Sequence, residues 1–259
     1  MNYKKDQNVA SDFQKRAKEY EYNSKWVTDK DVNNIPLNYL LTMKTGGDLL
    51  DAGGGTGYLS QYLSNHLKFN SITLVDISED MLKEAENKNY IIKAINSSIE
   101  KYCETTINRF DVILIRQVLH YVEDVNLVFS LLKSLLKDNG VIYVGQFLET
   151  DIESRDWHNE LIRNISKNRR RTILYEECLE YVRLNRLEVI QSDVTDFEEN
   201  LSDFYKRRIN EHLSFDKLRN KMINSINQNI RERMLIKITS DNIYFRVKFH
   251  HFLLRKKVK

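Results

Sequence analysis

Apolar positions along this chain change period in a regular way. Between about residues 48 and 147, short apolar runs of strand length alternate with stretches whose apolar residues recur at helical spacing. Asp48–Ala52 reads as a first strand, Gly57–Leu67 as a helix and Ser71–Asp76 (SITLVD) as a second strand. Ser78–Lys88 reads as a helix. Ser78 stands at its cap, and Glu79 and Asp80 fall in the first turn, where negative charge is favoured. Tyr90–Ile95 is a third strand. Phe110–Ile115 (FDVILI) is almost continuously apolar, as a central parallel strand buried on both faces requires. A helix over Val125–Lys137 and a strand over Val141–Phe147 complete five β/α units. This alternation predicts an α/β fold with a doubly wound parallel sheet.

The flanks follow other rules. Phe13, Ala17 and Tyr20 recur at helical spacing and lead to Trp26 and Val27, which predicts a helical cap over 9–30. A helix near 35–44 stops at Gly46-Gly47. Beyond 150 the pattern loosens into a helix at Tyr175–Leu184, a strand at Leu187–Thr195 and a β-prone terminal strand at Ile243–Leu254 (IYFRVKFHHFLL). Residues 200–235 are polar, amphipathic and helical in pattern, an insertion before the last strand. With no repeats or low-complexity linkers, 1–259 is expected to be a single domain. Its parts are an N-terminal cap (1–45), a core (46–150) and a second half (151–259).

Composition narrows the class. Apolar residues make up 41%, enough for a core, and the net charge of +3 is too small to demand a nucleic-acid partner. Cys103 and Cys178 have no CxxC spacing, so neither a disulfide framework nor a zinc site is expected, and a reducing, cytoplasmic setting fits. The N-terminus is too polar for a signal peptide, and no apolar run approaches the ~18 residues of a membrane span. His250 and His251 are adjacent on a strand and face opposite ways, so no metal site is expected from them.

The glycines carry the candidate chemistry. Of eight in the chain, Gly46, Gly47, Gly53, Gly54, Gly55 and Gly57 lie together, the last four in a strand–loop–helix setting. Such a loop lets backbone N–H groups approach a ligand closely. The dinucleotide pattern GxGxxG fails because Tyr58 stands where its third glycine belongs, and a phosphate loop would need a lysine after Gly57. The pattern that fits is [DE]xGxGxG, from Asp51, Gly53, Gly55 and Gly57.

That loop resembles motif I of the class I S-adenosylmethionine (SAM)-dependent methyltransferases. Three further segments in the right order extend the resemblance: SITLVDIS ending at Asp76, FDVILIRQVLHYVED over 110–124, and LLKSLLKDNGVIYVGQF, where Asp138-Asn139-Gly140 replaces the usual Pro-Gly-Gly. The chain is most similar to the small-molecule group, of ubiquinone/menaquinone or natural-product type. The resemblance implies a seven-stranded, mostly parallel sheet with an antiparallel last strand, SAM as cofactor and S-adenosylhomocysteine (SAH) as product. Asp51 would orient the loop or receive the ammonium group, Gly53, Gly55 and Gly57 would bear the methionine part, and Asp76 would accept the ribose hydroxyls. Ile77 would meet the adenine. Asn96, Ser97 and Ser98 stand where the family often carries an adenine-contacting Asp, or are ordinary loop polarity. Arg116 and Gln117 lie at the carboxyl end of the fourth strand, where open α/β sheets bind ligands.

The family's aromatic segment before the core is matched by Tyr20, Tyr22 and Trp26, suited to a sulfonium through cation–π attraction or simply to packing the cap. His120 and Tyr121 are the candidate catalytic residues, with a structural histidine and catalysis by proximity alone as the alternatives, and His158 is a further candidate base. Arg169, Arg170 and Arg171 would meet an anionic substrate or form a solvated helix end, and Arg255-Lys256-Lys257-Val258-Lys259 reads as a solvated tail. The fourth strand continues IRQVL without the NPPY-type tetrapeptide of nucleic-acid amino methyltransferases, and paired glutamates of the protein-arginine type are missing. The expected acceptor is therefore a small molecule, with Trp157, Phe197, Phe204 and Tyr205 as a pocket wall. Partners otherwise expected are none of nucleic acid or membrane, and a monomer or homodimer. An RNA or tRNA methyltransferase, or a non-catalytic or non-methyl SAM-binding protein, are the alternatives.

Overall fold

A computed structural model describes residues 3–14, 16–88, 92–165, 171–206 and 214–257. Among the described residues nine strands form the sheet: β1 (Gly47–Ala52), β2 (Phe69–Asp76), β3 (Lys93–Asn96), β4 (Phe110–Arg116), β5 (Leu136–Glu149), β6 (Ile173–Leu174), β7 (Leu187–Asn200), β8 (Lys237–Ile238) and β9 (Ile243–Lys256). Seven follow one path in the order β3-β2-β1-β4-β5-β9-β7, while the two-residue β6 and β8 pair with β5 and β9. Strands β1 to β5 pair in parallel, and β9 runs antiparallel between β5 and β7. The doubly wound sheet with an antiparallel last strand is thus present. From β1 the chain steps outward to β2 and β3, then crosses back to β4. The crevice beyond the carboxyl ends of β1 and β4 is the switch point at which such sheets take ligands.

Alternation along the central strands divides the core into two layers. Leu50, Ile113, Ile115, Ile142 and Val144 face the helix Val125–Leu135. Leu49, Val112, Leu114, Val141 and Tyr143 face Leu37 and Leu40 of the helix Lys30–Met43 and Leu63 of the helix Tyr58–Ser64. A third cluster lies against the extended ends of β7 and β9. There Trp157 and Leu161 meet Leu218, Met222, Ile230, Phe245 and Val247.

Several boundaries differ from the sequence pattern, for physical reasons. The helix expected to reach Lys137 ends at Leu135, because Leu136 pairs with Phe110 and β5 begins there through a bulge. Gly140 follows the bulge; a Cβ there would lie 2.9 Å from the Phe110 carbonyl oxygen, so glycine is required without its usual proline. The helix expected at 35–44 starts earlier, at Lys30, because Asp29 caps it by accepting from the Val32 N–H at 3.0 Å. Strand β7 continues past Thr195 to Asn200 because β9 supplies a partner at every step to Tyr244. The third strand is described from Lys93, with Tyr90 outside the described residues. The 200–235 insertion comprises the helices Leu201–Lys206, Phe215–Asn224 and Gln228–Arg233, with 207–213 outside the described residues. The N-terminal cap is a chain of short helices, Tyr3–Gln14, Ala17–Glu19, Tyr20–Asn23 and Lys25–Thr28. Among the described residues no helix is long and apolar enough to cross a membrane.

Candidate functional site

A cavity of about 550 Å³ opens at the carboxyl ends of β1, β2 and β4, roofed by the N-terminal cap. Its floor is the glycine loop. The N–H groups of Gly53 and Gly54 donate to the Val75 carbonyl at 2.8 and 3.3 Å, folding the loop back on β2. Gly53 has φ +72°, and a Cβ there would stand 2.4 Å from Val118 Cγ2. No other residue fits so close an approach in that conformation. Gly53, Gly54 and Gly55 line the cavity, whereas Gly57 lies behind it at the cap of the helix Tyr58–Ser64.

Two carboxylates flank the loop. Asp76 ends β2; one of its oxygens accepts from the Gly55 N–H at 2.9 Å and the other from the Ser78 N–H at 2.8 Å. Burial raises its pKa, and those backbone donors counter the rise. Each oxygen keeps a further lone pair for a ligand. Asp51 ends β1, is buried, and has Oδ2 without a hydrogen-bond partner. Burial pushes its carboxyl up to about 6, against the opposing pull of Ser60 and Arg116. A buried orphan of this kind suits a cationic ligand group.

The cap supplies the opposite wall. Arg116 donates to Asn33 Oδ1 at 2.8 Å, and its guanidinium carbon lies 5.1 Å from the Trp26 ring centroid. Burial lowers its pKa. Trp26 meets Tyr20 edge-on at 6.3 Å, and burial pushes the Tyr20 hydroxyl up to about 12. Thr56 of the glycine loop donates to Glu21 at 2.6 Å, and Glu21 also pairs with Lys88. Glu21 thus latches the cap over the loop. Nothing local in the sequence distinguishes Glu21, whose partners are 35 and 67 residues away.

Asp51, Gly53, Gly55, Asp76, Ile77, Ser97, Ser98, Arg116, Gln117, Tyr20, Trp26 and Tyr121 are brought together around this cavity. Asn96 is not among its lining. Its side-chain amide donates instead to the Asp76 and Ile77 carbonyls at 3.2 and 3.0 Å, supporting the strand end from outside. His120 lines not this cavity but a smaller one beside it, and is buried with Nδ1 2.8 Å from Gln146 Nε2; Gln146 in turn donates to Gln117 Oε1 at 3.3 Å. Met81, Val118, Val122 and Leu127 also line the cavity. They read in sequence as ordinary helix and loop apolar positions.

Other candidates fall elsewhere. Tyr22 is 88% exposed and points away from the site, because the turn at Ala17–Glu19 sets Tyr20, not Tyr22, inward. Trp157, Phe197 and Tyr205 pack in the third core cluster, and only Phe204 of that group reaches a cavity, a second one of about 110 Å³ beside the first. Arg171 is paired with Glu177 at 2.7 Å, and Arg169 and Arg170 lie outside the described residues. The expected tail is partly structural: Arg255 pairs with Glu188, and Lys256 donates to the Leu136 carbonyl at 2.7 Å. Val258 and Lys259 lie outside the described residues. His251 bonds Tyr143 at 2.8 Å and is pushed down to about 3 by burial, while His250 rests against Tyr175 on the other face. Among the described residues no three His, Cys, Asp or Glu side chains could hold a metal ion.

Two carboxylates beside a glycine loop would repel a phosphate group, and they suit a ligand with a cationic end and hydroxyls. Comparison with known proteins agrees with that chemistry. Residues 50–142 match the family model described as a methyltransferase domain. A malonyl-[acyl-carrier protein] O-methyltransferase of Acetivibrio thermocellus is 28% identical over 141 residues, covering 52% of this chain and 47% of that protein. This chain spans about half or less of the length of the curated relatives it matches. Among solved structures, a candidate methyltransferase of Bacillus halodurans aligns with TM-score 0.75 at 16% identity, covering 86% of this chain and 98% of that one. The plantazolicin methyltransferase BpumL, solved with a desmethyl-plantazolicin analogue and SAH, aligns with TM-score 0.58 at 17% identity, covering 97% and 95%. The chain shares its fold with these structures, and the segment holding the glycine loop and β4 is similar to a methyltransferase domain.

Proposed function

We propose that the protein transfers the methyl group of SAM to an N, O or C atom of a small molecule, releasing SAH. The observation that carries this reading is the pair Asp51 and Asp76 at adjoining strand ends across one glycine loop. The buried, unpartnered Asp51 Oδ2 suits an ammonium, and Asp76 keeps lone pairs for two hydroxyls. Gly53 leaves room for backbone approach that a Cβ would close. Trp26 and Tyr20 offer aromatic faces to a cation. The cavity's volume of about 550 Å³ is within the range that holds such ligands.

When bound, SAM supplies a methyl group already activated by the sulfonium. The protein's own residues bind, orient and exclude water. The Glu21–Thr56 latch holds the cap over the loop, and the Trp26–Arg116 stack closes the side towards β4. A small acceptor would enter beside Tyr121, which lines both the main cavity and the second one. The net charge of +3 with both signs mixed supports a small acceptor over a polyanion. A cytoplasmic monomer or homodimer is part of the same reading.

Isothermal titration with SAM and SAH tests the cofactor, and Asp76→Ala should abolish or greatly weaken both. A methyl-transfer screen against small-molecule and RNA pools tests the acceptor. Label appearing only in RNA would overturn the small-molecule assignment.

A further inference from the structure

The second cavity, of about 110 Å³, lies against the first. Phe13, Tyr20, Trp26, Gln117 and Tyr121 line both. Phe147, Ile162, Phe204 and Val247 make an apolar and aromatic wall, while Arg16, Ser24, His120 and Glu199 also line the cavity. Two side chains of the lining, Gln117 and His158, have a buried polar atom without a hydrogen-bond partner. His158, on the helix Ile152–Ile165, is 2% exposed, and its Nδ1 lies 2.8 Å from Oε1 of Glu149 at the end of β5. Its Nε2 has no hydrogen-bond partner. His158 lines the cavity and Glu149 does not, with Nε2 itself buried in the wall. Phe204 and Phe245 pack edge-on against the imidazole at 6.2 and 6.5 Å and fix its plane.

A carboxylate can only accept, so it selects the tautomer with hydrogen on Nδ1 and leaves Nε2 as a lone pair. A nucleophile–base–orienter arrangement needs that end free. We propose that His158 is the general base of the acceptor site, positioned by Glu149, and that the acceptor is a small aromatic or enolic hydroxyl compound. The inference rests on the methyl-transfer reading above. The cavity is of the order of the ~150 Å³ that holds a benzene ring, and its aromatic walls suit one. The acceptor's O–H donates to Nε2. As the oxygen forms its bond to the methyl carbon, the carbon–sulfur bond breaks with its pair left on sulfur, and the proton ends on Nε2. Glu149 stabilises the imidazolium so formed.

The test uses the full chain saturated with SAH, with 4-nitrophenol as probe and 4-nitroanisole as its analogue without a proton. Titration with SAH is run first on every protein, and it reports the cofactor reading separately. Expected is that wild-type protein binds 4-nitrophenol and shifts its ionisation, read from the phenolate absorbance, by about tenfold or more, one pKa unit. In the same sample the ¹⁵N signal of His158 Nε2 should move from the unprotonated to the protonated range. His158→Gln should keep its affinity for SAH and 4-nitroanisole and lose the phenolate signal; Glu149→Gln should weaken that signal. Three results would each overturn the proposal: no binding of either probe by the wild type, a phenolate signal unchanged in His158→Gln, or no movement of Nε2 in the wild type. Loss of 4-nitroanisole together with 4-nitrophenol in His158→Gln would make His158 a wall residue and overturn it as well.

Discussion

The two sides of the sheet build their parts of the site by different means. On the β1–β2–β3 side, the cavity is bounded by the glycine loop's backbone and by strand-end carboxylates. On the β5–β9–β7 side, β7 and β9 are 14 residues each and run on past that point. Their extensions carry Phe197, Phe245 and Val247 into a separate core with Trp157 and Met222. One side bounds its cavity with main chain and carboxylates; the other shapes a cavity with side chains. A ligand common to a family can be met by main-chain geometry, whereas an acceptor cavity depends on which side chains the extended ladder presents.

If the halves are separable in this way, damage to the second core should spare the first site. Trp157→Ala removes a buried indole that meets Phe245 edge-on at 5.2 Å and donates to the Met222 carbonyl at 3.4 Å. Expected is a loss of about 3–5 kcal/mol in unfolding free energy by urea denaturation, with SAH affinity of the folded protein retained. Loss of SAH binding at temperatures where the variant is folded would break the comparison.

Asp76→Ala strikes the other side. Hydrogen bonds to a charged acceptor contribute about 1.5–3 kcal/mol each, so losing two ribose contacts should weaken SAM binding by roughly 100-fold or more. Calorimetry on the variant decides it, and unchanged affinity would remove Asp76 from the site.

How much of each half could be read from the sequence follows the same division. The β1–β2–β3 side is local: Asp51 and the glycines share one loop, and Asp76 is the last residue of an apolar run. Strand periodicity alone places both carboxylates at one edge. The latch from Glu21 to Thr56, and the pairing of His158 with Glu149 across a helix start, arise from tertiary approach and leave no period in the chain. Aromatic pattern located the cap but not its facing, which a single turn at Ala17–Glu19 decides in favour of Tyr20 over Tyr22. Trp157, Phe197 and Tyr205 read as pocket wall because an apolar side chain looks alike in a core and in a cavity. Only the register of β7 on β9 separates the two.

Asp51 should show two effects of opposite sign. Its carboxyl is pushed from 3.8 to about 6 in the folded protein. The folded state therefore binds the proton more tightly than the unfolded chain, so stability falls as pH rises from about 4 to 6 and stays lower above it. Asp51→Asn should remove that penalty and raise stability of the ligand-free protein at pH 7 by about 2 kcal/mol, after allowance for burying the new amide. SAM affinity should fall in the same variant. In the wild type, affinity should decline as pH drops below about 6, where Asp51 gains its proton, while the variant's affinity stays flat. Calorimetry across pH 5 to 7, inside the range where an α-amino group (pKa about 7.7–8.0) stays charged, separates these outcomes. A variant that is less stable, or a wild-type profile without slope, would make Asp51 an anchor of the loop alone.

The smallest expected effect is the most discriminating for how the main-chain side works. Asn96 stands outside the cavity and donates to the Asp76 and Ile77 carbonyls, tying the end of β2 to the end of β3. If ligand affinity there depends on where the backbone holds Asp76, Asn96→Ala should weaken SAM binding by up to about tenfold, the value of a neutral hydrogen bond. The loss should act through Asp76. In an Asp76→Ala background, removing Asn96 should then add little, since residues in one network do not contribute independently. A direct adenine contact from Asn96 predicts the reverse: its loss would add in full whether or not the carboxylate is present. The double-mutant cycle read by SAM titration therefore distinguishes a side chain that touches the ligand from one that places another residue.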